Sequence, residues 1–450
     1  MKTTATSGND FFLSKISTRK LFGHFDYDLD FTTQTEAANR LVVLYGDNGS
    51  GKTTLLKMVF HLLSPIDDCG HKSVLAAIKF QLFEVCLADG TIISARRETG
   101  TIDEAIHLKV QKKNQIATEV TLKVEGDGKI KMQNTPDQVH VKRFLGALKQ
   151  LNLEVLFMRD DRRLTSNLDE KRRADGGEEF NPNQVWDELP PHRMMHLHLQ
   201  PPQSKLSATV ETVNQYFRRH ALTATSRGEI DTNKIYDAII KQLVLPRRAS
   251  TPPSQDEIVA YLSKMEAVAN RNRDFVKVGL TSPLMAENML KTLRRAKPSA
   301  WPALLNVLRP YIDSVEARLA ALEPIRKITD QFIESINSFI GTGKTVSFNL
   351  ERGLQIQGYD GDILEPDSLS SGEKQLLTLF CHIICVRDKS AVFMIDEPEL
   401  SLNVKWQRRL VQSLLDCTAG ASIQFVMASH SMELLARHRD HVVALRNIAK

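Results

Sequence analysis

The chain has 450 residues, of which 42% are hydrophobic and 25% are charged. That balance is typical of a soluble globular protein and excludes a fibrous or mainly disordered one. The length predicts two folded units. No stretch reaches the roughly 18 apolar residues that a membrane span needs, so we expect a cytoplasmic protein without a membrane partner. The formal charge of +5 does not by itself indicate a nucleic-acid ligand.

Short β-rich runs separated by turn residues fill the first part of the chain. They lie at 12–16, 25–31, 41–45, 80–87, 91–97 and 118–124. Apolar residues then recur at helical spacing over 139–151, and a buried strand is predicted at 153–158. This part of the chain is therefore expected to be rich in sheet.

A glycine-rich segment, GDNGSGKTT, lies between the predicted strand 41–45 and a helical run. It matches the P-loop pattern in its required context, although a plain glycine turn is the alternative. Glycines let backbone N–H groups point at phosphate oxygens, and the helix that begins there adds its positive end. Lys52 is expected to meet the β and γ phosphates, and the Thr53 hydroxyl to bind Mg²⁺. The predicted ATP-binding residues here are Gly46, Asp47, Asn48, Gly49, Ser50, Gly51, Lys52, Thr53 and Thr54.

The middle of the chain reads as an irregular segment followed by helices. Glycine and proline residues, which interrupt helices and strands, dominate 159–202, and no functional motif is assigned to that segment. A helical period covers 210–339, with breaks near Pro246, Pro283 and Pro298. We expect an inserted helical domain whose proline breaks exclude a long heptad rod.

A second anion site is predicted in DSLSSGEKQLLTLF, where a polar turn runs into an amphipathic helix. Ser370, Ser371, Gly372 and Glu373 stand at the start of that helix, where N–H and hydroxyl donors meet the positive helix end. A plain helix N-cap is the alternative. Because the P-loop leaves no room for a second phosphate site, this turn is expected to serve the nucleotide of another subunit.

Two further motifs follow buried strands near the C-terminal end of the sequence. AVFMIDEP delivers Asp396 and Glu397 at a strand end. Strand side chains alternate, so Asp396 is expected to face the metal and Glu397 the attacking water, and Glu397→Gln should trap ATP. His430, after the apolar run 423–428, is expected to sense the γ-phosphate. A lone histidine is more often structural, but the order of the four motifs favours function. Lys52, Glu397 and His430 are the predicted catalytic residues.

With these motifs, the chain resembles the ABC-type ATPases of the SMC, RecF and OLD-like group that occur in bacterial anti-phage systems. The run DEPELSLNVKWQ is similar to the group's DEPE-x-SLH-x-x-WQ, with Asn403 where a histidine is frequent, and LFMRDDRRL is similar to its basic post-strand loop. Ser401 to Asn403 then match the loop that contacts the other subunit. Within the group, the ATPase subunits of the PARIS defence systems are the nearest comparison.

The resemblance implies an α/β fold, namely a P-loop NTPase head of the ABC-ATPase kind with a mixed sheet, an antiparallel β subdomain and an inserted helical domain. The head is expected at 1–160 and 341–450, and the irregular and helical part at 161–340. Mg²⁺-dependent ATP hydrolysis is expected in a homodimer, or a larger homo-oligomer, that shares its ATP sites. One reading is an anti-phage sensor and scaffold, triggered by a phage protein, that controls a separate effector such as a TOPRIM or other nuclease. The alternative is a RecF-like or SMC-like repair ATPase that clamps duplex DNA.

Several weaker patterns read as structural. Gly341 to Thr345 imitates half a P-loop but precedes a predicted strand, so a turn is expected. A histidine cluster at 192–198 lies among prolines and is interpreted as neither metal-binding nor catalytic. Arginine pairs at 162–163, 172–173, 218–219 and 294–295 are interpreted as solvated faces. Five cysteines without CxxC spacing predict reduced thiols, with Cys381 and Cys385 in a core.

Overall fold

The computed structural model describes residues 12–32, 40–66, 70–112, 115–124, 130, 138–159, 164–166, 205–244, 253–284, 286–341, 343–400 and 402–448. The chain divides into two compact units, Met1–Pro201 with Val386–Lys450 and Pro202–Cys385. Four of the sequence-based interpretations lie outside the described residues. They concern Cys69, Ser401, the histidine cluster at 192–198, and nearly all of the irregular segment 161–203 with its two arginine pairs.

The elements follow one another in a mixed order of strands and helices. The strands are β1 (Leu13–Leu21), β2 (Phe25–Asp30), β3 (Leu41–Tyr45), β4 (Leu82–Leu87), β5 (Ile92–Arg96), β6 (Ile106–Lys112), β7 (Gln115–Leu122), β8 (Leu153–Met158), β9 (Leu164–Ser166), β10 (Thr345–Asn349), β11 (Gly353–Gln357), β12 (Ile363–Leu364), β13 (Ser390–Asp396), β14 (Ile423–Ala428) and β15 (Val442–Ala444). The helices are α1 (Lys52–Leu63), α2 (His71–Ala76), α3 (Gln138–Gln150), α4 (Lys205–Val244), α5 (Gln255–Lys277), α6 (Ala286–Leu293), α7 (Trp301–Asn337), α8 (Ser371–Val386), α9 (Val404–Cys417) and α10 (Met432–Arg437).

The first unit contains an antiparallel sheet with the strand order β2-β1-β4-β5-β6-β7. Its strands alternate as a sheet with one buried face requires, for example in β4, where Phe83, Val85 and Leu87 are buried. The side chain of Gln424 on β14 ties this sheet to the second sheet of the unit. Its Oε1 accepts a hydrogen bond from Leu13 N at 2.7 Å, and its Nε2 donates to Leu13 O at 3.0 Å.

The second sheet of this unit has the order β15-β3-β14-β13-β8-β9. All its neighbouring strands pair in parallel except β9, which runs antiparallel to β8. Every residue of β14, and every residue of β13 after Ser390, is buried, as expected for strands covered on both faces. The strands predicted at 41–45 and 153–158 are confirmed with the same bounds, and the parallel sheet places their carboxyl ends along one edge.

The second unit contains the long helices α4 and α7, which pack against each other. Phe217 on α4 lies 5.8 Å from the ring of Phe332 on α7 and 4.7 Å from that of Phe348 on β10. The antiparallel strands β10, β11 and β12 form a small sheet, and α8 follows. Among the described residues, no helix combines the length and the apolar character that crossing a bilayer requires.

Two local elements were not predicted. Helix α2 has only six residues, and strand β6 was missed although Ile106, Leu108 and Val110 are buried in the alternation of a half-buried strand. The long helices end where the proline breaks were expected, since α4 ends at Val244 before Pro246 and α7 begins at Trp301 after Pro298. Pro310 and Pro324 lie inside α7. Each removes one backbone donor and crowds the preceding turn, but the buried apolar face of α7 maintains the helix across both.

Candidate functional site

Three neighbouring strands of the parallel sheet end side by side. Leu44 on β3 lies opposite Ala428 on β14, and Ala428 lies opposite Asp396 on β13. The P-loop, the loop with His430 and the DEPE run therefore leave the sheet at the same edge. In parallel sheets this edge is where ligands bind. Three of the four predicted motifs are thus brought together within the first unit.

The P-loop has a shape that depends on its glycines. Gly49 and Gly51 have φ of +80° and +88°, which side chains disfavour. A Cβ on Gly46 would lie 2.9 Å from Ser50 Oγ, which is too close for a normal contact. Ser50 N donates to Asp47 O at 3.2 Å, and Leu55 N donates to Gly51 O at 2.8 Å as the first turn of α1 forms. The loop is therefore a curled backbone segment that leads directly into a helix N-terminus.

Lys52 lies inside this curl and is nearly buried. Its Nζ donates to the carbonyl oxygens of Gly46 at 2.7 Å and Asp47 at 3.1 Å. Ser50 Oγ is buried and has no hydrogen-bond partner among the described residues. An ammonium group, an unpaired hydroxyl and a helix N-terminus together form a set of donors that fits phosphate oxygens. The residues present thus fit the phosphates of a nucleoside triphosphate.

A second segment, which the sequence did not single out, supports the P-loop from behind. The Tyr27 hydroxyl on β2 donates to Ser50 O at 2.9 Å, and burial raises the pKa of that phenol. The turn between β1 and β2 approaches Gly51 closely, because a Cβ there would meet Leu21 at 3.1 Å and Phe22 at 3.2 Å. Phe22 itself has φ of +55° and is 40% exposed. The first hairpin therefore shapes the P-loop.

Asp396 and Glu397 are placed by different features of the backbone. Asp396 ends β13 and is 3% exposed. Glu397 lies beyond the strand with φ of +48°, and its N–H donates to Ala428 O at 2.9 Å. The expected alternation of strand side chains is therefore not what orients Glu397, because a left-handed turn sets its direction. A non-glycine residue held in this region is a feature that recurs at functional sites. The carboxylate of Asp396 and the Thr53 hydroxyl are the hard oxygen donors that Mg²⁺ prefers.

His430 lies beside two carboxylates. Its Nδ1 is 3.6 Å from Glu397 Oε1 and 3.6 Å from Glu399 Oε1, and its side chain is about half exposed. The ring thus presents one edge to the acidic residues of the site. The contact with Glu397 and Glu399 was not predicted, and the expected role of His430 at the γ-phosphate stays a prediction.

Glu399 is a site residue that sequence reasoning missed. It is 8% exposed, and its Oε1 accepts hydrogen bonds from Ser429 Oγ at 2.8 Å, His430 N at 3.0 Å and Ser431 N at 3.1 Å. One buried carboxylate oxygen therefore fixes three consecutive residues of the loop that carries His430. The signal in the sequence was the third acid of the DEPE run, two residues after Glu397.

Gln407 on α9 joins that loop to the loop after Glu399. Its Oε1 accepts from Ser431 Oγ at 2.8 Å, and its Nε2 donates to Leu402 O at 2.9 Å and Glu399 O at 3.4 Å. Asn403 caps α9 by accepting from Trp406 N at 2.9 Å, a role that suits asparagine well. Both residues belong to the run that carries the family resemblance.

The signature turn lies in the second unit, at the start of α8. Ser370 and Glu373 form a capping box, in which Ser370 N donates to Glu373 Oε2 at 2.8 Å and Glu373 N donates to Ser370 Oγ at 3.4 Å. Ser370 and Ser371 are exposed, whereas Gly372 and Glu373 are buried. Glu373, predicted as a nucleotide contact, directs its carboxylate into the protein instead. The turn offers an anion the hydroxyls and amides of the residues before Glu373.

The weaker patterns resolve as structural where they are described. Strand β10 begins at Thr345, so the segment from Gly341 leads into a strand and is not a second P-loop. Arg218 donates to the carbonyl oxygens of Leu350 and Glu351, and Arg294 pairs with Glu266. Cys381 is buried, and burial raises the pKa of its thiol well above the usual value. The expected core placement of that thiol is confirmed.

Comparison with protein families gives two matches. A model described as "AAA domain, putative AbiEii toxin, Type IV TA system" matches residues 176–436, more than half of the chain, a range that contains the signature turn, the DEPE run and His430. A model described as "ABC transporter" matches residues 29–245, which contain the P-loop. Together the two matches include all four motifs.

Comparison with individual proteins gives one curated relative and several solved structures. Over 81 residues, 18% of the chain, it is 35% identical to the lipoprotein-releasing system ATP-binding protein LolD 1 of Rhodospirillum rubrum, and it spans about a third (34%) of the length of that relative. Among solved structures, the Smc head domain of Pyrococcus furiosus bound to the C-terminal domain of ScpA has 12% identity and a TM-score of 0.36, with 96% of this chain and 95% of that chain covered. The Smc head domain of Pyrococcus yayanosii with a coiled coil and joint has 12% identity and a TM-score of 0.37, with 97% and 95% covered.

Proposed function

The chain belongs to the family described as "AAA domain, putative AbiEii toxin, Type IV TA system", and from this premise we propose that it works as a dimer of ATPase heads that close around two shared nucleotides. It is an ATP-binding ATPase of the ABC type with the α/β fold of such heads. The observation that carries the proposal is the convergence of the P-loop, Asp396 with Glu397, and His430 at one edge of the parallel sheet.

The chemistry follows from the charges at that edge. Thr53 and Asp396 would hold Mg²⁺, which when bound would supply positive charge at the phosphate oxygens. Lys52 exchanges its two carbonyl contacts for the β and γ phosphates. Glu397 polarises a water and accepts its proton as the water oxygen attacks the γ-phosphorus, while the bond from that phosphorus to the β-γ bridging oxygen breaks and ADP and phosphate are released. His430 contacts the γ-phosphate with the ring edge turned away from Glu397 and Glu399.

The second half of each site comes from another copy of the chain. Ser370, Ser371 and Gly372 supply donors at the N-terminus of α8, and the P-loop already uses its own helix end for the same purpose. A triphosphate covered on both sides is stabilised by two helix N-termini rather than one. Hydrolysis therefore requires the dimer.

Mixing two inactive variants tests whether each site is shared. Lys52→Ala removes a group of the P-loop side, and Ser370→Arg blocks the signature side. Each variant alone is expected to be inactive. A mixture in equal amounts should recover about a quarter of the wild-type rate, because half of the randomly formed dimers are mixed and each of these has one intact site of two. The measurement is phosphate release after mixing.

A matched control uses two variants from the same side of the site. Lys52→Ala mixed with Asp396→Asn should recover nothing, because both residues act on the nucleotide of their own subunit. No recovery in the first mixture, with both variants folded and able to dimerise, would show that the sites are not shared.

The biological setting is a separate part of the proposal. The family description names a toxin of a toxin-antitoxin system, and the DEPE run resembles that of anti-phage ATPases, with PARIS subunits as the nearest comparison. Both support an ATP-driven sensor and scaffold that a phage protein triggers and that controls a separate effector, for example a nuclease. ATP-dependent clamping of duplex DNA is the alternative.

A further inference from the structure

The carboxylate of Glu373 at the start of α8 is buried, and both of its oxygens accept hydrogen bonds from within the protein. Its Oε1 accepts from Gly341 N at 3.1 Å, and its Oε2 accepts from Ser370 N at 2.8 Å and Lys344 Nζ at 2.9 Å. Glu373 is 4% exposed, and Lys344 is only partly exposed. Two backbone amides and one ammonium group, all from residues that precede α8, therefore surround this single negative charge.

A carboxylate in this position presents an electrostatic problem for an anion site. The N-terminus of α8 attracts phosphate through its positive helix end, but an uncompensated negative charge three residues into the helix would repel it. Burial raises the pKa of Glu373, but the Lys344 hydrogen bond and the amides of Ser370 and Gly341 outweigh burial and lower the pKa to about 2. The group is therefore ionised at neutral pH, and Lys344 is the cation that balances it.

The same contacts determine which donors of the turn face outward. Ser370 uses its N–H for Glu373, and its Oγ accepts from Glu373 N with a lone pair. A hydroxyl that accepts in this way keeps its own proton as a donor. The Ser370 hydroxyl is exposed at the start of α8 and also hydrogen-bonds to the Glu373 carboxylate, which helps to lower the pKa of that group. Moving Glu373 would reorient both polar groups of Ser370.

The contacts of Glu373 with Gly341 and Lys344 also connect the signature turn to the end of α7. Asn337, the last residue of α7, exchanges two hydrogen bonds with Val346, at 2.7 and 2.8 Å. Gly341 and Lys344 lie between these two residues. The loop that holds Glu373 is therefore itself held at both of its ends.

We propose that Lys344 and Glu373 are positioning residues of the shared ATP site, in which Lys344 neutralises Glu373 so that the signature turn can accept the partner's triphosphate. The inference rests on the proposed function, because it assigns a role to the turn that the dimer model requires. Neither residue touches the nucleotide. Their contribution is the charge and the orientation of Ser370.

The test is a double-mutant cycle in a Glu397→Gln background, in which ATP drives dimerisation without turnover. Lys344→Met leaves Glu373 uncompensated and is expected to raise the ATP concentration for half-maximal dimerisation by about tenfold. Adding Glu373→Gln removes the charge and keeps an acceptor, so the double variant should return to within about threefold of the parent. Lys344→Arg should behave as the parent. The measurement is sedimentation velocity at a series of ATP concentrations.

Two further readouts separate electrostatics from folding. Lys264→Met is the matched control, since Lys264 pairs with Asp313 and Glu316 on the surface of the same unit and should not change dimerisation. Binding of fluorescent ATP to the monomer should be equal in all variants. The proposal is overturned if Lys344→Met dimerises like the parent, if the double variant is no better than the single one, or if monomer binding weakens in parallel. If the Glu397→Gln parent itself fails to dimerise with ATP, it is the proposed function that falls.

Discussion

At the scale of single residues, Glu399 is the group that holds His430 in place. One of its oxygens binds Ser429, His430 and Ser431, while Oε2 is buried with no hydrogen-bond partner among the described residues. A buried, partly satisfied carboxylate is costly. Its retention next to Glu397 is consistent with a role in the geometry of the site rather than in stability alone.

Replacing Glu399 should therefore affect both stability and catalysis. Glu399→Ala leaves the Ser429 hydroxyl and the His430 amide without an acceptor and removes one of the two acceptors of Ser431 N, which should lower the free energy of unfolding by about 2 to 4 kcal/mol. Displacement of His430 should reduce kcat roughly tenfold to a hundredfold. Glu399→Gln should have a smaller effect, because the amide oxygen still accepts. Denaturant unfolding and steady-state ATPase assays check both values.

A surface acid in the same unit provides the control for Glu399. Glu433 forms an exposed ion pair with Arg408, so Glu433→Gln should change neither quantity appreciably. Equal ATPase rates in Glu399→Ala and the wild type would contradict the positioning role.

The sequence predicted the residues whose chemistry is local and missed those that act across loops. The P-loop glycines, Lys52 and Asp396 follow from a contiguous pattern beside a strand. Glu397 was recognised, but its left-handed turn was not, because alternation along a strand stops at the strand end. Glu399 and Gln407 act through hydrogen bonds to residues 24 to 32 positions away, which no local pattern encodes.

At the scale of elements, helix α1 is stabilised at both ends. Its N-terminus carries the P-loop, and at its C-terminal end the buried Lys72 donates to the carbonyl oxygens of His61, Leu62 and Ser64 at 2.6, 2.8 and 3.0 Å. A cation at this end complements the helix dipole. Beside it, His61 Nδ1 and His71 Nδ1 lie 2.9 Å apart in a hydrogen bond. That contact requires one ring nitrogen to accept, so at least that ring is neutral, and burial lowers the pKa of both His61 and His71 and so favours two neutral rings.

This histidine pair predicts a loss of stability in acid. Burial and then Lys72 lower the pKa of His71 to about 3, whereas an unfolded histidine has a pKa near 6.5. Below pH 6.5 the unfolded chain binds a proton that the folded chain does not. The contribution of His71 to the free energy of unfolding is therefore fully present above pH 6.5 and is lost as the pH falls toward 3. At pH 5 the loss from His71 amounts to about 2 kcal/mol.

The variant His71→Asn tests this linkage. Asparagine keeps a polar group near the position of Nδ1 but does not titrate, so the fall in unfolding free energy between pH 7.5 and pH 5 should be smaller than in the wild type by about 2 kcal/mol. Urea unfolding at the two pH values gives both numbers. The same pH dependence in the variant and the wild type would show that His71 does not carry the effect.

Buried strands with continuous apolar runs were predicted well, whereas the shortest helix was missed. The strands at 41–45 and 153–158 have continuous apolar runs, and their bounds were correct. Helix α2 has six residues and depends on packing for its stability, because so short a helix is unstable alone. Helix α7 begins just after the predicted break at Pro298 and continues through Pro310 and Pro324, where its buried face holds the helix together.

At the scale of the whole molecule, the motifs are divided between the two units. The P-loop, Asp396, Glu397 and His430 lie in the first unit, and the signature turn lies in the second. The sequence predicted the order of these motifs, which is a linear property. It could not predict that residues 341–385 group with the helical part, because that grouping depends on contacts such as those of Phe217 with Phe348 and of Arg218 with Leu350.

The two settings proposed for the ATPase differ in what the closed dimer should bind. A clamp for duplex DNA depends on phosphate contacts, so its affinity for the duplex should appear only with ATP and fall steeply between 50 and 200 mM salt, by roughly a thousandfold or more for six or more contacts.

For a scaffold that controls a separate effector, we expect Glu397→Gln with ATP to show no such gain in duplex affinity over Lys52→Ala. We expect the same variant to form a stable complex with the product of an adjacent reading frame when the two are co-expressed. Fluorescence anisotropy with a labelled duplex and gel filtration of the co-expressed pair measure the two outcomes. Salt-sensitive, ATP-dependent duplex binding without a stable complex would replace the scaffold by the clamp, because the same closure of the heads would then serve a different ligand.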